Sequence, residues 1–264
     1  MLTIELSDHP GDLLNAATRR REAVSTKGRS QLAALIKQRD AARKSRKWLT
    51  WLRLTLKTAG RKRTQAAGAS PPTDDEEILK AGIAGEQRVA RELGEKLSDD
   101  WTLVHGYRNG RGEIVHLLLG PNGLFAIEVK NNNATVSISG DVWAADKYDR
   151  YGNLRERYLI EDRGGRSPSV QLNQSADALE RFLGTRGQSL TVPRIVALTH
   201  ARSRLGLQKN LTVHVAVTIQ EILHVVDAQP GHLDPKRRAA ILALIRHDHA
   251  FHENRRARSP ARRR

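Results

Sequence analysis

The sequence predicts an α/β fold in which a mixed β-sheet is flanked by helices and preceded by an N-terminal helical extension. Three observations support this prediction. Apolar residues recur at helical spacing near both ends of the chain, short apolar runs typical of strands fill the middle, and strong turn signals separate those runs. The order of helix, antiparallel strands, helix, two strands and helix is typical of an α/β domain with a mixed sheet.

The N-terminal part of the chain predicts helices. Over residues 11–60, apolar residues such as Leu32 and Leu35 recur at helical spacing with Lys and Arg between them. A break follows at 61–73, where a basic cluster gives way to Ala, Gly, Ser, Thr and two prolines. We therefore expect a basic helical extension over residues 1–60 and a linker after it.

The main domain is expected over residues 74–250. Its first helix should begin near Asp74, because four acidic residues fill the first turn and complement the helix dipole. The turn sequence from Gly120 to Gly123 separates two apolar runs, which predicts a β-hairpin over 113–130. Further strands are expected near 102–105, 135–139, 141–147, 154–160, 192–199 and 211–217, and further helices over 169–183, from 218 and over 234–249.

Positive charge is concentrated at the two ends of the chain, whose net charge is +16. Residues 1–70 hold 16 Lys and Arg against 5 Asp and Glu, and residues 254–264 hold 6 Arg and no acidic residue. Basic arms of this kind contact phosphate, either in nucleic acid or at an anionic membrane surface. The alternative is a solubilising helical surface and a basic disordered tail over 251–264.

Composition excludes several classes of protein. The chain has no cysteine, which excludes a disulfide framework and any zinc or iron–sulfur site with cysteine ligands. Its start lacks the basic region and apolar run of a signal peptide, and no apolar stretch approaches the roughly 20 residues that span a bilayer. We therefore expect a cytoplasmic protein.

A carboxylate and an ammonium group lie together on the second hairpin strand. Glu128 and Lys130 are two residues apart in the apolar run from Leu124, so both side chains leave the same face of the strand. Such a pair is either a stabilising ion pair near an exposed strand end or part of a chemical site. The spacing alone is common and does not decide between these interpretations.

Four segments together resemble the nuclease-related domain (NERD) family. The hairpin sequence of residues 112–131 resembles the family's hairpin, and 81–86 resembles its opening Gly-x-x-Gly-Glu on the first helix. Residues 168–171 resemble its Pro-x-x-Gln, and 194–199 lie where the family has a late buried strand. The resemblance covers about 82–227, and its specificity comes from the order and spacing of the motifs.

The family is similar to an outlying branch of the PD-(D/E)XK nucleases, which implies a restriction-endonuclease-like core and a phosphodiester-cleaving site. Mg²⁺, or Mn²⁺ in its place, is the implied cofactor, because it takes carboxylate ligands and activates a bound water. The resemblance makes Glu128 a metal ligand and catalytic residue, and Lys130 the catalytic lysine. It adds Glu86 as a ligand or orienting residue and Gln171 as a catalytic residue beside the site, and it implies no small-molecule cofactor.

One position departs from the family pattern. The family usually has Glu-Ile-Asp-His on the first hairpin strand, with the Asp as central metal ligand, whereas this chain has Val115 at that position. Glu113 projects from the same face and could replace it as a metal ligand, although it lies about 7 Å along the strand. His116 points to the opposite face and is better interpreted as a histidine satisfied beside the core. Without a substitute ligand, the domain would bind nucleic acid or another partner without cutting it.

Three functional hypotheses follow. The first is a Mg²⁺-dependent DNA endonuclease. The second is a catalytically silent module of the same fold that binds nucleic acid, with DNA as the expected partner. The third is a membrane-peripheral or assembly protein that contacts a membrane surface, or a second copy of itself, through residues 30–57.

Overall fold

The computed structural model describes residues 1–45, 48–65 and 72–258. Two compact units divide the chain. A helical unit comprises Pro10–Lys80, and a mixed unit comprises Met1–His9 together with the chain from Ala81 onward. Within the described residues, no helix is long and apolar enough to cross a membrane.

The helical unit contains α1 (His9–Lys44), α2 (Trp48–Gln65) and the beginning of α3 (Asp74–Lys96). The expected helical extension is thereby confirmed, and α2 runs five residues into the stretch that was expected to be a linker. The rest of that stretch, up to Pro71, lies outside the described residues.

A buried ion pair lies inside the helical unit. Glu76, in the first turn of α3, is 1% exposed, and its Oε1 is 3.2 Å from Nε of Arg21 on α1. Because an uncompensated buried charge is costly, this pair fixes the first turn of α3 against α1.

The mixed unit contains two β-sheets and the remaining helices. Along the chain its elements are β1 (Leu2–Glu5), the rest of α3, β2 (Thr102–Arg108), β3 (Glu113–Gly120), β4 (Gly123–Lys130), β5 (Thr135–Ser139), β6 (Val142–Tyr148), β7 (Leu154–Leu159), α4 (Pro168–Gly184), β8 (Arg194–Leu198), β9 (Arg204–Lys209), β10 (His214–Ala216), α5 (Ile219–Asp227) and α6 (Pro235–Ala257). The larger sheet has the strand order β1-β2-β3-β4-β8-β10, and the smaller has β7-β6-β5-β9.

The larger sheet is mixed, which confirms the predicted fold class. The predicted hairpin is present, since β3 and β4 pair antiparallel up to Gly120 and Gly123. Beyond the hairpin, β4 pairs parallel with β8 and β8 pairs parallel with β10. In the smaller sheet, β6 pairs antiparallel with β7. The strand β4 is therefore central in the larger sheet.

Two apolar clusters cover the larger sheet. Leu172 and Leu179 of α4 share one cluster with Ile241 of α6 and with alternate residues of β3 and β4. Val89 and Leu93 of α3 belong to the other cluster, with apolar residues of α5 and the remaining strand positions. Burial on both sides explains why β4 is almost wholly apolar and why a charged pair at its end stands out.

Three elements differ from the sequence-based expectation. Residues 2–5 belong to no helical extension, because β1 pairs parallel with β2 at the edge of the larger sheet. The strand β9 was not expected, and it pairs parallel with β5. The helix α6 continues to Ala257, so the tail expected to be disordered from residue 251 is helical to that point, and residues 259–264 lie outside the described residues.

Contacts distant in the chain explain the longer α6. His249 is buried, and its Nδ1 accepts a hydrogen bond of 3.1 Å from the backbone N–H of Arg108. Glu253 lies 2.8 Å from the Arg108 guanidinium. These partners on β2 hold the last turns of α6 against the sheet.

Gly106 allows the end of β2 to turn toward the N-terminal segment. Its φ is +72°, and a Cβ at this position would lie 2.0 Å from the carbonyl oxygen of Ser7. Only glycine combines that backbone conformation with so close an approach. The pairing of β2 with β3 omits Gly106 and continues in the same register at Tyr107.

We expect Tyr107→Phe to lower the free energy of unfolding by about 1–2 kcal/mol. Tyr107 is fully buried, and its hydroxyl donates a hydrogen bond of 2.5 Å to Oδ2 of Asp248 on α6. The substitution leaves that carboxylate without this donor. Urea unfolding at neutral pH measures the loss, and Tyr148→Phe, at a tyrosine that is 51% exposed, is the matched control. An equal effect of both substitutions would contradict the prediction.

Candidate functional site

Glu128 and Lys130 lie at the carboxyl end of β4. Glu128 is 6% exposed, and its Oε1 accepts a hydrogen bond of 2.7 Å from Nζ of Lys130. The ion pair considered from the sequence is therefore formed. Parallel pairing with β8 continues up to Lys130, so the backbone that carries both groups is fixed on this side.

Glu86 reaches the same end of the sheet from α3. The preceding residue, Gly85, packs so closely on Thr199 that a Cβ would lie 2.5 Å from the threonine Oγ1. Thr199 follows β8, and its backbone N–H donates to the carbonyl of Lys130 at 2.9 Å. The glycine of the Gly-x-x-Gly-Glu motif thus has a packing reason, and it brings Glu86 toward the end of β4.

Three glutamates influence one another at this end of the sheet. The pKa of Glu86 is raised from 4.5 to about 8, mainly by burial and also by the carboxylates of Glu128 and Glu113, while Lys130 opposes the rise. Burial likewise raises the pKa of Glu113, Arg108 opposes that rise, and Glu128 adds to it. The three carboxylates predicted to form the site therefore lie close enough to repel one another.

Glu113 is bound by the guanidinium group of an arginine. It lies at the start of β3, and its Oε2 accepts a hydrogen bond from Nη2 of Arg108 on β2. The Nε atom of the same guanidinium is 2.8 Å from Oε1 of Glu253 on α6. One arginine thus serves two carboxylates, and it binds the side chain that was predicted to replace the missing aspartate.

Val115 occupies the position where the family pattern has its central aspartate. The paired register of β3 and β4 ends at His116 and Ile127, so Val115 and Glu128 are the next residues of the two strands. Its side chain is half-buried and packs against the apolar cluster of α3 and α5. An isopropyl group offers no ligand atom, so the strand beside Glu128 contributes no carboxylate at this point.

A pair of histidines adjoins Glu86, and nothing in the sequence pattern predicted it. The Nδ1 atoms of His105 and His116 lie 3.2 Å apart, and Nε2 of His116 lies 3.2 Å from the carbonyl oxygen of Glu86. Burial lowers the pKa of His116 to about 3, so its ring is neutral. Because a carbonyl only accepts, His116 Nε2 carries the proton and its Nδ1 accepts from His105.

This network joins Glu86 to two strands. Nε2 of His105 is 3.7 Å from Oε2 of Glu86, so backbone and side chain of the glutamate both face the histidine pair. His116 is 1% exposed and has partners at both ring nitrogens. The interpretation of His116 as a satisfied histidine beside the core agrees with this geometry.

Gln171 lies in the first turn of α4 and contacts backbone. Its side-chain amide donates a hydrogen bond of 2.7 Å to the carbonyl of Arg166. The Arg166 guanidinium bonds in turn to Asp162, at 2.7 Å from Nη2 to Oδ2. Gln171 therefore fixes the loop that precedes α4, and its predicted catalytic role stays a prediction.

The side chains do not fit the predicted metal ion in this arrangement. Among the described residues, no group of three or more His, Asp or Glu side chains is placed to hold a metal. The reasons are local: Val115 supplies no ligand, Arg108 binds Glu113, and Lys130 binds Glu128. The assignment of Glu86, Glu113 and Glu128 as metal ligands stays a prediction.

Three further residues near the predicted site residues are only weakly indicated by the sequence. His105, Arg108 and Glu253 are ordinary polar residues in their own segments, and only the pairing of β2 with β3 and the docking of α6 bring them to the site. A sequence pattern with a period of two or 3.6 residues reports which face is buried, and it does not report a partner far along the chain.

Comparison with known proteins agrees with this description. The chain matches no curated protein and no solved structure. Residues 81–199 match the family model described as nuclease-related domain. The matched range begins five residues before Glu86 and ends at Thr199, so it includes every candidate site residue predicted from the sequence. The segment of the chain from 81 to 199 is therefore similar to the nuclease-related domain (NERD) family.

Proposed function

We propose that this nuclease-related domain binds nucleic acid and does not cleave it with a metal ion. The observation that carries the proposal is Val115, which stands on β3 where the family pattern has an aspartate. A second observation supports it, because the carboxylate nearest along β3, that of Glu113, is already bound by Arg108. The domain keeps the position of the family site while lacking a complete set of ligands.

Charge supports nucleic acid as the partner. The chain carries a net charge of +16 that is concentrated at its two ends, and such basic arms attract the phosphate backbone regardless of sequence. Lys130 lies at the carboxyl end of a central strand, and its side chain is 24% exposed. An ammonium group there can contact a phosphate, and DNA is the nucleic acid that the family resemblance favours.

We expect Lys130→Ala to weaken binding of double-stranded DNA by about tenfold and to make the salt dependence less steep by about one counterion. Fluorescence anisotropy across a range of salt concentrations measures both quantities, with single-stranded DNA and RNA as further probes. Lys96→Ala is the matched control, because Lys96 is an exposed lysine at the far end of α3. Binding that does not change with salt, or equal losses in the two variants, would contradict the proposal.

A second candidate is the Mg²⁺-dependent or Mn²⁺-dependent DNA endonuclease. One observation favours it: the carboxylates of Glu128 and Glu113 raise the pKa of Glu86, Glu128 raises that of Glu113, and a bound cation relieves that kind of repulsion. In this candidate the three glutamates rearrange around the ion, with Lys130 and Gln171 as the catalytic residues beside it.

Cleavage assays separate the two candidates. Supercoiled plasmid and labelled RNA are incubated with Mg²⁺, with Mn²⁺ and with a chelator, using wild type, Glu128→Gln and Glu156→Gln. Glu156 is an exposed glutamate on β7 and serves as the matched control. The first candidate expects binding without cleavage in every protein. Metal-dependent cleavage that survives in Glu156→Gln and disappears in Glu128→Gln would establish the second candidate instead.

A further inference from the structure

An exposed row of leucines runs along one face of α2. Leu49, Leu52 and Leu56 are 66%, 44% and 69% exposed. Their spacing of three and four residues places them on one side of the helix. Thr58 is 2% exposed and lies roughly opposite that row around the helix axis. The leucine row is therefore the outward face of α2, and the face that carries Thr58 is the packed one.

The same helix is uniformly basic. Between Trp48 and Gln65 the sequence has five Lys and Arg and no Asp or Glu. Arg53 and Lys57 are both exposed, and the helical period places them beside the leucine row. The remaining three basic residues are consecutive at 61–63. The outward face of α2 thus combines an apolar row with a basic border.

Three occupants of this face can be compared. Nucleic acid accounts for the basic border and leaves three exposed leucines unexplained. A second copy of α2 accounts for the leucines, but it brings Arg53 and Lys57 close to their counterparts, and α2 has no acidic residue to neutralise them. An anionic lipid surface accounts for both features, because leucines enter the boundary of the acyl chains while Lys and Arg meet the headgroups.

We propose that α2 is a membrane-surface helix that lies flat on anionic lipid, with Leu49, Leu52 and Leu56 as the inserted side chains. Arg53 and Lys57 contact the lipid phosphates at the border of the inserted row. The helix lies in the plane of the surface and does not cross it, in keeping with the finding that none of the described helices is long and apolar enough to do so. This proposal stands independently of the nucleic-acid function, because it uses none of the residues around Glu128.

Flotation of the full-length protein tests the proposal. Vesicles of phosphatidylcholine alone are compared with vesicles that also contain phosphatidylglycerol. We expect binding to the anionic vesicles only. The triple variant Leu49→Ser, Leu52→Ser, Leu56→Ser should bind them at least about tenfold more weakly. The matched control is Leu13→Ser with Val24→Ser, which removes exposed apolar side chains from α1, and it should bind like wild type.

Charge reversal and a fluorescent probe test the orientation of the helix. Arg53→Glu with Lys57→Glu should abolish vesicle binding. Lys27→Glu with Arg29→Glu makes the same change of charge at exposed positions of α1, and this variant should keep more than half of the wild-type binding. The chain has no cysteine, so Leu52→Cys accepts a single environment-sensitive dye. Its emission should shift to the blue on anionic vesicles. A dye at Thr50→Cys, which lies nearly half a turn around the helix from position 52, should shift much less.

Several results would overturn the proposal. One is a wild-type protein that does not float with anionic vesicles, and another is equal loss in the leucine and control variants while circular dichroism shows that both are folded. Equal dye shifts at positions 50 and 52 count against insertion of the leucine row. If light scattering shows a dimer that the leucine variant dissociates, or if that variant loses DNA binding and keeps vesicle binding, the face belongs to a second copy or to nucleic acid.

Discussion

Val115→Asp is expected to give the domain a divalent-cation site that wild type lacks. The new carboxylate would stand on β3, the strand that neighbours the strand of Glu128, and would restore the ligand at the family's central position. Mg²⁺ and Mn²⁺ bind clustered carboxylate oxygens, and each added charge strengthens binding. We expect Mn²⁺ affinity to rise by at least about tenfold over wild type, into roughly the range from micromolar to millimolar.

The same substitution should lower stability when no metal is present. A third carboxylate in a half-buried position is repelled by its neighbours and is desolvated, which costs about 1–3 kcal/mol. Binding of Mn²⁺ to the folded state alone offsets that loss by mass action. The variant should therefore melt below wild type in a chelator and recover in Mn²⁺, while wild type melts at the same temperature in both.

Calorimetric titration with Mn²⁺ and thermal melts in Mn²⁺ or chelator measure these effects. Val115→Asn is the matched control, because it adds a polar group of nearly the same size without a charge. The proposal of a silent site predicts that the asparagine variant loses stability and gains no metal dependence. If wild type already binds Mn²⁺ as tightly as Val115→Asp does, Val115 does not limit the site and the second candidate is correct.

The part of the site that could be predicted from the sequence lies on one strand, β4. The run ending at Lys130 is apolar on both faces and follows a strong turn, so local rules place Glu128 and Lys130 at the end of a buried strand. The hairpin, α4 and β8 were predictable for the same reason. Each of these elements has a pattern that is complete within its own segment.

The remaining features depend on pairing between distant segments. The edge strand β1 contains only four residues, and it gains its structure from β2, about 100 residues later. The Arg108 guanidinium joins Glu113, five residues away, to Glu253 on the last helix. No local pattern could indicate that Glu113, predicted as a metal ligand, is bound by an arginine. The family motif identified the region of the site, and the long-range contacts determine what each carboxylate can do there.

Glu86→Gln is expected to change the dependence of stability on pH, because the folded-state pKa of Glu86 is raised from 4.5 to about 8. In wild type the folded state keeps this proton where the unfolded state has lost it. The contribution of Glu86 to stability is therefore fully present below pH 4.5 and is lost as pH rises toward 8. The charged and titratable groups that face it are Glu128, Glu113, Lys130, Asp8 and His105.

His116 has the opposite effect. Its pKa is lowered from 6.5 to about 3, so between these pH values the unfolded state binds a proton that the folded state does not bind. This contribution is present above pH 6.5 and is lost as pH falls toward 3. Between pH 4.5 and 6.5 the effects of Glu86 and His116 on the free energy of unfolding change with pH in opposite directions and cancel. Above this window Glu86 determines the change, and below it His116 does. Wild type should lose about 2 kcal/mol between pH 6.5 and 8 from Glu86 alone.

In Glu86→Gln only the histidine contribution remains of the two. Stability should rise with pH up to about 6.5 and stay level above it, so the variant should exceed wild type at pH 9 by a few kcal/mol. Glu113, His105 and His249 also titrate with shifted pKa values, but they are present in both proteins and cancel in the difference. Urea unfolding from pH 4 to 9 measures the two profiles. Glu95→Gln, at an exposed glutamate on the same helix, is the matched control.

The same titration carried out with Mn²⁺ tests what the repulsion around Glu86 means. If a cation occupies the site, it stabilises the ionised carboxylate, lowers the pKa of Glu86 and removes the loss of wild-type stability above pH 6.5. If the site is silent, Mn²⁺ leaves the wild-type profile unchanged and alters only that of Val115→Asp. A wild-type profile that is already level above pH 6.5 without metal, and equal to that of Glu86→Gln, would show that Glu86 ionises freely. In that case the inference that the folded protein raises the pKa of Glu86 is wrong.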